Sequence, residues 1–205
     1  MSFFENTRKP VGFGGKVMVF MMNFGHRALA NWGFRFLRTA ENATVLDCGC
    51  GGGANIKRLL EICPKGRVFG IDYADVSVTA SQKNNREAIK AGRCTILQAG
   101  VADLPFESAM FDLVTAFETV YFWPEPVQSF GEIFRVLKPG GSLLICNECG
   151  GRAGKWEKWE KWEKKIDGMK VYGEGELTAF LKEAGFRNIR TYTNQKGWIC
   201  VAAQK

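Results

Sequence analysis

The stretch that most constrains the fold is residues 45–60, where a short apolar run ends in an acid, breaks into a glycine cluster and resumes at helical spacing. The first part predicts a buried strand, and Ile56, Leu59 and Leu60 predict the inward face of a helix. Glycines between them let the backbone turn sharply and approach a ligand that a Cβ would obstruct. Backbone N–H groups at the helix start suit an anionic group. The stretch therefore predicts a strand, a ligand-binding loop and a helix.

This loop alone does not select the ligand. The spacing of Gly49, Gly51 and Ala54 also fits the loose dinucleotide fingerprint G-x-G-x-x-G/A, so a pyrophosphate and a nicotinamide cofactor stay open at this point. Residues further along the chain have to decide.

Length and composition indicate one globular domain with a full core. The chain has 205 residues, of which 46% are hydrophobic and 24% are charged. The apolar run at residues 17–22 is far shorter than the ~20 residues that span a bilayer. It also lacks a fitting cleavage site, so we expect no membrane association and a cytoplasmic location.

The seven cysteines are expected to be reduced and mostly buried, because several lie in apolar, strand-like runs. Cys146 and Cys149 form a CxxC pair that Cys48 and Cys50 could extend into a metal site. A tight loop also favours small apolar residues at positions 48 and 50, so we predict no metal site.

The net charge of +7 is concentrated outside the glycine-loop region. Residues 1–44 carry six basic and two acidic side chains, and residues 151–205 carry twelve and seven. Such ends could attract an acidic substrate or nucleic acid, but a solvated surface is the simpler interpretation.

Hydrophobic periodicity predicts alternating strands and helices closed by a hairpin. The predicted strands are 67–72, 94–98, 111–118, 142–146, 186–193 and 198–202. The predicted helices are 17–38, broken near Gly25, then 76–91 with Asp75 as its cap, 127–137, 155–165 and 174–184, with Gly185 as the last cap. Residues 1–16 are predicted to be a flexible arm.

Several side chains are predicted to meet at the carboxyl ends of the strands, where open α/β sheets bind ligands. Asp72 lies 21 positions after Gly51, which suits hydrogen bonds to two ribose hydroxyls. Asp103 could accept a purine amine while Leu104 and Tyr73 enclose the ring. The aromatic loop at residues 119–124 follows the fourth strand and points at the same region.

Two further segments are candidates for the acceptor side of such a site. The Met- and Phe-rich helices before residue 38 could cover a pocket as a lid, and they carry His26, the one histidine of the chain. Residues 155–165 repeat Lys-Trp-Glu three times. The repeat predicts ion pairs four residues apart and an oblique tryptophan stripe that packs on the body.

Five motifs in this order resemble those of the class I S-adenosylmethionine-dependent methyltransferases, and most nearly the branch called methyltransferase type 11. The motifs are residues 45–51 (VLDCGCG), Asp72, residues 103–106 (DLPF), residues 111–114 (FDLV) and residues 135–141 (RVLKPGG).

The resemblance implies an α/β, Rossmann-like three-layer sandwich with a seven-stranded, mostly parallel sheet whose last strand is antiparallel. It implies one domain over residues 1–205, with an arm and helical lid at 1–40, a core at 41–205 and an acceptor-side insertion at 149–172. The implied cofactor-binding residues are Asp47, Gly49, Cys50, Gly51, Asp72, Tyr73, Ala102, Asp103, Leu104, Phe117 and Glu118.

The leading hypothesis is methyl transfer from S-adenosylmethionine, leaving S-adenosylhomocysteine, to a small-molecule acceptor. A base is needed for a hydroxyl or ammonium acceptor, and the candidates are Tyr121, Glu148 and His26. An RNA or protein acceptor, a non-catalytic nucleoside-binding partner protein and a nicotinamide oxidoreductase are the alternatives, and nucleic acid is the less favoured partner. We expect a monomer or a homodimer.

Overall fold

The computed structural model describes residues 10–151 and 156–205, with the backbone alone at residues 16, 20, 22–23 and 156–158. Its centre is one seven-stranded sheet in the order β3-β2-β1-β4-β5-β7-β6. The strands are β1 Thr44–Cys48, β2 Arg67–Asp72, β3 Cys94–Gln98, β4 Phe111–Phe117, β5 Leu137–Asn147, β6 Arg187–Thr193 and β7 Ile199–Gln204.

The strand directions confirm the predicted fold class. Neighbours β3, β2, β1, β4 and β5 pair in parallel, whereas β7 pairs antiparallel with both β5 and β6. Strands β6 and β7 therefore form the predicted hairpin, around a turn at residues 194–198.

Helices cover both faces of this sheet. They are α1 Gly12–Gly25, α2 Arg27–Gly33, α3 Ala54–Ile62, α4 Asp75–Asn84, α5 Arg86–Lys90, α6 Pro126–Val136, α7 Trp156–Glu163 and α8 Glu174–Glu183. The apolar side chains of α6 and α8 pack on one face around Phe111, and those of α2, α3 and α4 pack on the other around Leu113. Each face buries its own core, which gives the predicted three layers.

The N-terminal helix begins earlier than predicted. Residues 12–15 were expected to belong to a flexible arm because three of the four are glycine, which disfavours a helix. The structure starts α1 at Gly12, and a Cβ at Gly15 would lie 2.6 Å from the Pro10 carbonyl carbon. The glycine lets buried Pro10 pack against the helix. Residues 1–9 of the predicted arm lie outside the described residues.

Two other boundaries differ from the prediction. The single helix expected over 76–91 is interrupted at Asn85, and its N-cap is Ala74, whereas Asp75 lies inside the first turn. Strand β5 begins at Leu137, five residues before the predicted start, because Leu137 already pairs with Phe111. The register then shifts across the Lys-Pro-Gly-Gly segment, where Gly140 has φ +77°, and regular pairing resumes at Ser142.

Among the described residues, no helix combines the length and the apolar character that crossing a bilayer requires.

Candidate active site

A cleft opens at the carboxyl ends of β1 and β4, the two neighbouring strands at which the strand order reverses. Ligands of open α/β sheets bind at this switch point. The cleft is lined by Pro10, His26, Arg27, Leu29, Ala30, Gly49, Cys50, Gly51, Gly52, Ala54, Asn55, Arg58, Asp72, Tyr73, Ser77, Phe117, Glu118, Thr119 and Phe122.

The glycine loop after β1 is fixed to β2 by its backbone. The N–H groups of Gly49 and Cys50 both donate to the Ile71 carbonyl, at 2.8 and 2.9 Å. Gly49 has φ +74°, and a Cβ there would lie 2.2 Å from the Thr119 hydroxyl oxygen. Gly51 has φ +50°, and an added Cβ would meet no atom within 4 Å. The loop therefore holds tightly to the protein at Gly49 and leaves open space at Gly51.

Two asparagines support this loop from below, and the sequence analysis did not identify them. Asn84 Nδ2 donates to the Gly52 carbonyl at 2.8 Å, and Asn85 Nδ2 donates to the Gly53 carbonyl at 3.1 Å. Asn85 also interrupts the helix and is 5% exposed. Consecutive asparagines inside a predicted helix were the available signal, because asparagine prefers to bond nearby backbone.

Asp72 joins the loop to the next helix. Its Oδ2 accepts from Gly51 N–H at 3.0 Å and its Oδ1 from Ala74 N–H at 2.9 Å. Burial raises the pKa of this carboxyl, while the hydrogen bonds from Ala74, Gly51 and Ser77 oppose the shift. Each carboxylate oxygen has a second lone pair, so both can still accept a ligand hydroxyl.

Asp47 lies at the end of β1, beneath the cleft. It is 1% exposed, and its Oδ1 accepts from the Thr115 hydroxyl at 2.6 Å. Burial raises its pKa to about 7, Thr115 opposes that shift, and nearby Asp72 adds to it. Asp47 does not line the cleft. Because Asp47 lies under the glycine loop, its charge would interact electrostatically with a ligand in the cleft.

Arg58 projects from α3 into the cleft and is the second feature that the sequence analysis missed. Its Nη1 is buried and has no hydrogen-bond partner among the described residues. The guanidinium lies 5.8 Å from the centroid of the Phe34 ring, and burial lowers its pKa. A buried guanidinium nitrogen without a partner is suited to a carboxylate of the ligand.

Glu118 and its neighbours form the wall beside Phe117. Glu118 adopts φ +58°, which is uncommon for a residue with a Cβ. Its Oε1 accepts from the Tyr121 hydroxyl at 2.9 Å and from the Glu148 N–H. Its Oε2 lies 3.8 Å from His26 Nε2. Burial raises the pKa of Glu118 to about 7, against the effect of those two donors.

Two of the candidate bases, Tyr121 and His26, have different surroundings. Tyr121 has its hydroxyl committed, since it donates to Glu118 and accepts from Cys149 N–H at 3.0 Å. Burial also raises its pKa well above the ordinary value, so Tyr121 orients Glu118 and is a poor base. His26 lines the cleft, and burial lowers its pKa while Glu148 opposes the shift. A neutral imidazole at the cleft can accept a proton.

Three predicted cofactor contacts lie away from the cleft. Leu104 is 3% exposed and packs in the core around Phe111, so its side chain does not face the cleft beside Tyr73. Its N–H donates to Glu132 Oε2, and its carbonyl accepts from Arg135, which fixes this position from the α6 side. Ala102 and exposed Asp103 are also absent from the cleft lining. Tyr73 does line it, at 39% exposure.

The tryptophan repeat packs on the body near Glu118, as predicted for the stripe. Trp159 is 7% exposed and lies in a cluster with Tyr121, Cys149 and Val171, against which Trp162 is half-buried. The predicted ion pair between Glu160 and Lys164 does not form, although the Lys164 N–H donates to the Glu160 carbonyl at 3.1 Å. The side chains of Trp156 and Glu157 lie outside the described residues.

Within the described ranges, one group of side chains has the ligand atoms of a metal site. The atoms belong to His26, Glu118 and Glu148, which lie within 4.8 Å of one another. The cysteines do not join this group; all seven are buried and none is in a disulfide.

Comparison with known families decides what the cleft belongs to. Residues 46–145 match the family model described as a methyltransferase domain. Residues 46–145 thus form a methyltransferase domain, which agrees with the resemblance to the class I, S-adenosylmethionine-dependent enzymes. The matched range includes the glycine loop, Asp72 and Glu118.

Curated relatives of the methyltransferase domain are similar over about half of this chain. Cycloartenol-C-24-methyltransferase 1 of Oryza sativa subsp. japonica is 33% identical over 105 residues, or 51% of this chain and 30% of that protein. Demethylmenaquinone methyltransferase of Lactiplantibacillus plantarum is 34% identical over 113 residues, or 55% and 47%. The matches thus span less than half the length of these relatives.

Solved structures extend the likeness in fold to nearly the whole chain. A Haloferax volcanii methyltransferase in complex with the Trm112 methyltransferase activator has a TM-score of 0.79 and 20% identity, covering 93% of both chains. The Haemonchus contortus phosphoethanolamine N-methyltransferase 2 in complex with S-adenosyl-L-methionine has a TM-score of 0.78 and 16% identity. It covers all of this chain and 60% of its own.

The cleft of the methyltransferase domain fits S-adenosylmethionine, its cofactor. Arg58 presents a partnerless nitrogen for the carboxylate of the methionine portion, and Gly51 leaves room beside it. Asp72 has lone pairs for the ribose hydroxyls. Glu118, which also lines the cleft, would offer an acidic group to a cationic part of the cofactor.

Proposed function

We propose that the protein methylates a small-molecule acceptor that loses a proton in the reaction, and that the pair His26 and Glu118 accepts this proton. The observation that carries the proposal is the arrangement of Glu118. One oxygen is held by the Tyr121 hydroxyl and the Glu148 N–H, and the other faces His26 at the wall of the cleft. Curated relatives named for sterol and menaquinone methylation support a small acceptor.

S-adenosylmethionine supplies a methyl group on a sulfonium, which is already a good leaving group. The chain's own residues therefore have to bind, align and exclude water. Arg58, Asp72 and the glycine loop bind the cofactor in this proposal, and Leu29 and Ala30 of α2 close the cleft from the other side. The helices before residue 38 then act as its wall.

We assign proton removal to the His26 and Glu118 pair because the two side chains lie together, with His26 Nε2 3.8 Å from Glu118 Oε2, and because the pKa of Glu118 is about 7. Burial raises the pKa of Glu118 to about 7 and lowers the pKa of His26, so one proton is easily taken up by the pair. Below pH 7 the pair already holds that proton. We expect kcat/KM to rise with pH up to about 7 and then to level off.

The test has two stages. Calorimetry with S-adenosylhomocysteine comes first, and absence of binding at high micromolar ligand would remove the methyltransferase assignment. A screen of pooled hydroxyl, amine and thiol compounds, with total RNA and a protein lysate as further arms, then follows release of S-adenosylhomocysteine. Labelling of RNA or protein alone would refute a small acceptor.

Variants then test the base on the acceptor that the screen finds. Glu118→Gln and His26→Asn should each lower kcat about 100-fold or more, within the range of general-base contributions. The matched control is Glu183→Gln, an exposed acid in α8. A variant with unchanged kcat and an unchanged pH profile would rule out its residue as part of the base.

A further inference from the structure

A second cavity lies on the sheet face that α2 covers, away from the cofactor cleft. It has a volume of about 430 Å³ and shares no lining residue with the cleft. Its walls are the segment that follows α2 and the strands β4 to β7. The lining residues are Arg35, Phe36, Leu37, Arg38, Leu113, Ser142, Leu143, Leu144, Asn188, Arg190, Tyr192, Ala202, Ala203 and Gln204.

The floor of this cavity is apolar. Leu113 and Leu144 are each 2% exposed and face the α2 side of the sheet beside half-buried Ala202. Phe36 stacks on Tyr192 at one wall, with ring centroids 4.0 Å apart. The pair forms a flat aromatic side next to the aliphatic floor, which suits a hydrocarbon body.

The rim of the cavity carries positive charge. Arg35, Arg38 and Arg190 all line it, and the lining contains no acidic residue. Arg38 donates to the carbonyls of Arg35 and Leu37 and so fixes the segment after α2. Among the described residues, the guanidinium groups of Arg35 and Arg190 have neither an ion pair nor a hydrogen-bond partner.

The register of the sheet places one of these charges directly beside the floor. Leu144 pairs with Ala202 across β5 and β7, and Ala202 pairs with Arg190 across β7 and β6. Arg35 also lines the cavity, from the segment after α2. A ligand on the floor therefore lies in a cavity to which both Arg35 and Arg190 contribute, and guanidinium groups bind carboxylates through paired hydrogen bonds.

We propose that this cavity binds a small amphiphilic carboxylate, with its hydrocarbon body on the Leu113, Leu144 and Ala202 floor and its carboxylate between Arg35 and Arg190. The volume falls in the range of about 300–1,000 Å³ that is usual for small-molecule sites. Charge selects the class of ligand, since three cations without an acid favour an anion and disfavour an amine.

Calorimetry with decanoate, below the concentration at which it forms micelles, tests the proposal on the full chain. Decanoate should bind, and decanol, which has the same body without charge, should bind about tenfold more weakly or worse. The double variant Arg35→Gln with Arg190→Gln should weaken decanoate binding by about tenfold or more. The control Lys65→Gln with Arg86→Gln also removes two exposed charges but lies outside the cavity, and it should bind as the wild type does.

Three results would overturn the proposal. Equal decanoate affinity in the wild type and the cavity variant would show that Arg35 and Arg190 do not bind the carboxylate. Absence of decanoate binding, with sedimentation showing a dimer that the cavity variant dissociates, would make this face a contact between copies of the chain. Binding to phosphatidylglycerol vesicles without binding of monomeric decanoate would make it a membrane contact. Affinity for S-adenosylhomocysteine, measured on the same variants, should stay unchanged and shows that they fold.

Discussion

Asp47 and Glu118 are buried carboxyl groups at the ends of neighbouring strands, and both have a pKa raised to about 7 by burial. A carboxyl in this condition costs stability whenever it is ionised in the free protein. Such a cost is tolerated where the charge serves a ligand, and both groups lie at the cofactor cleft or under it. These two groups of the candidate site therefore lower the stability of the domain when no ligand is bound.

Asp47→Asn should stabilise the free protein at pH 8 by about 2 kcal/mol, because it removes a buried charge while keeping an acceptor for the Thr115 hydroxyl. The folded state of the wild type holds a proton between the ordinary pKa of 3.8 and about 7 that the unfolded state has lost. Stability of the wild type should therefore fall as the pH rises through this range, and the variant should show a smaller slope.

Urea unfolding at pH 5 and pH 8 measures this effect. Asp75→Asn, at an exposed acid in the first turn of α4, is the control and should change neither value by more than about 0.5 kcal/mol. The same Asp47 variant should bind S-adenosylhomocysteine more weakly. A variant that is less stable than the wild type at pH 8 would contradict the burial argument.

Gly49 and Gly92 give a matched pair for the glycine loop, with φ +74° and φ +70°. Alanine at Gly92 meets no atom within 4 Å and should cost only the strained backbone, about 1–2 kcal/mol. Alanine at Gly49 meets Thr119 as well, so it should cost more and should abolish binding of S-adenosylhomocysteine. Equal unfolding free energies for the two variants would mean that Thr119 moves aside.

Parts of the site were predictable because their chemistry is local in sequence. The glycine spacing and the acids after β1 and β2 identify Gly49, Gly51 and Asp72 without any knowledge of packing. The roles of Arg58 and Asn85 at the site could not be predicted from the sequence, because these roles arise only when α3 and α4 pack against the loop. The Leu104 side chain packs in the core below the loop, and this placement also depends on tertiary packing rather than on local sequence.

Secondary-structure elements followed the sequence where hydrophobic periodicity was strong. Helices α6 and α8 lie within one residue of their predicted bounds, and α3 buries the predicted face of Ile56, Leu59 and Leu60, because one apolar face fixes each of them. The N-terminal end of α1 and the start of β5 were harder. Glycine and proline there signal a turn, whereas close packing of Gly15 and extended pairing of β5 decide the outcome.

Helix α7 depends on one anchor, and Trp159→Ala tests it. Loss of this buried ring from the cluster with Tyr121, Cys149 and Val171 should lower the free energy of unfolding by about 3 kcal/mol. Lys161→Ala, at an exposed position of the same helix, should cost less than about 0.5 kcal/mol. Because none of the described side chains of α7 lines the cofactor cleft, affinity for S-adenosylhomocysteine should persist in both variants, and its loss in Trp159→Ala would link α7 to that cleft.

At the scale of the whole molecule, both cores of the sheet contain cysteines. All seven are buried and none is in a disulfide, and burial raises the pKa of Cys48, Cys50, Cys63 and Cys94. Thiolates are the reactive form, so the native protein should resist thiol reagents.

Titration with Ellman's reagent should detect no rapidly reacting thiol in the native protein and seven in 6 M guanidinium chloride, the number in the sequence. One or more fast thiols in the native state would show that a core opens on the timescale of seconds. Repeating the titration with S-adenosylhomocysteine would then report whether ligand binding closes it, with Cys50 as the thiol in the cleft.

The position of β7 in the sheet has a consequence for how the chain is made. Residues 187–193 emerge from the ribosome before residues 199–204, yet β6 pairs only with β7 in the sheet. Until residues 199–204 are available to pair, β5 and β6 each present an open edge, and edges of this kind pair readily with other chains. The insertion of β7 between them is therefore the folding step at which this domain most needs protection from other chains.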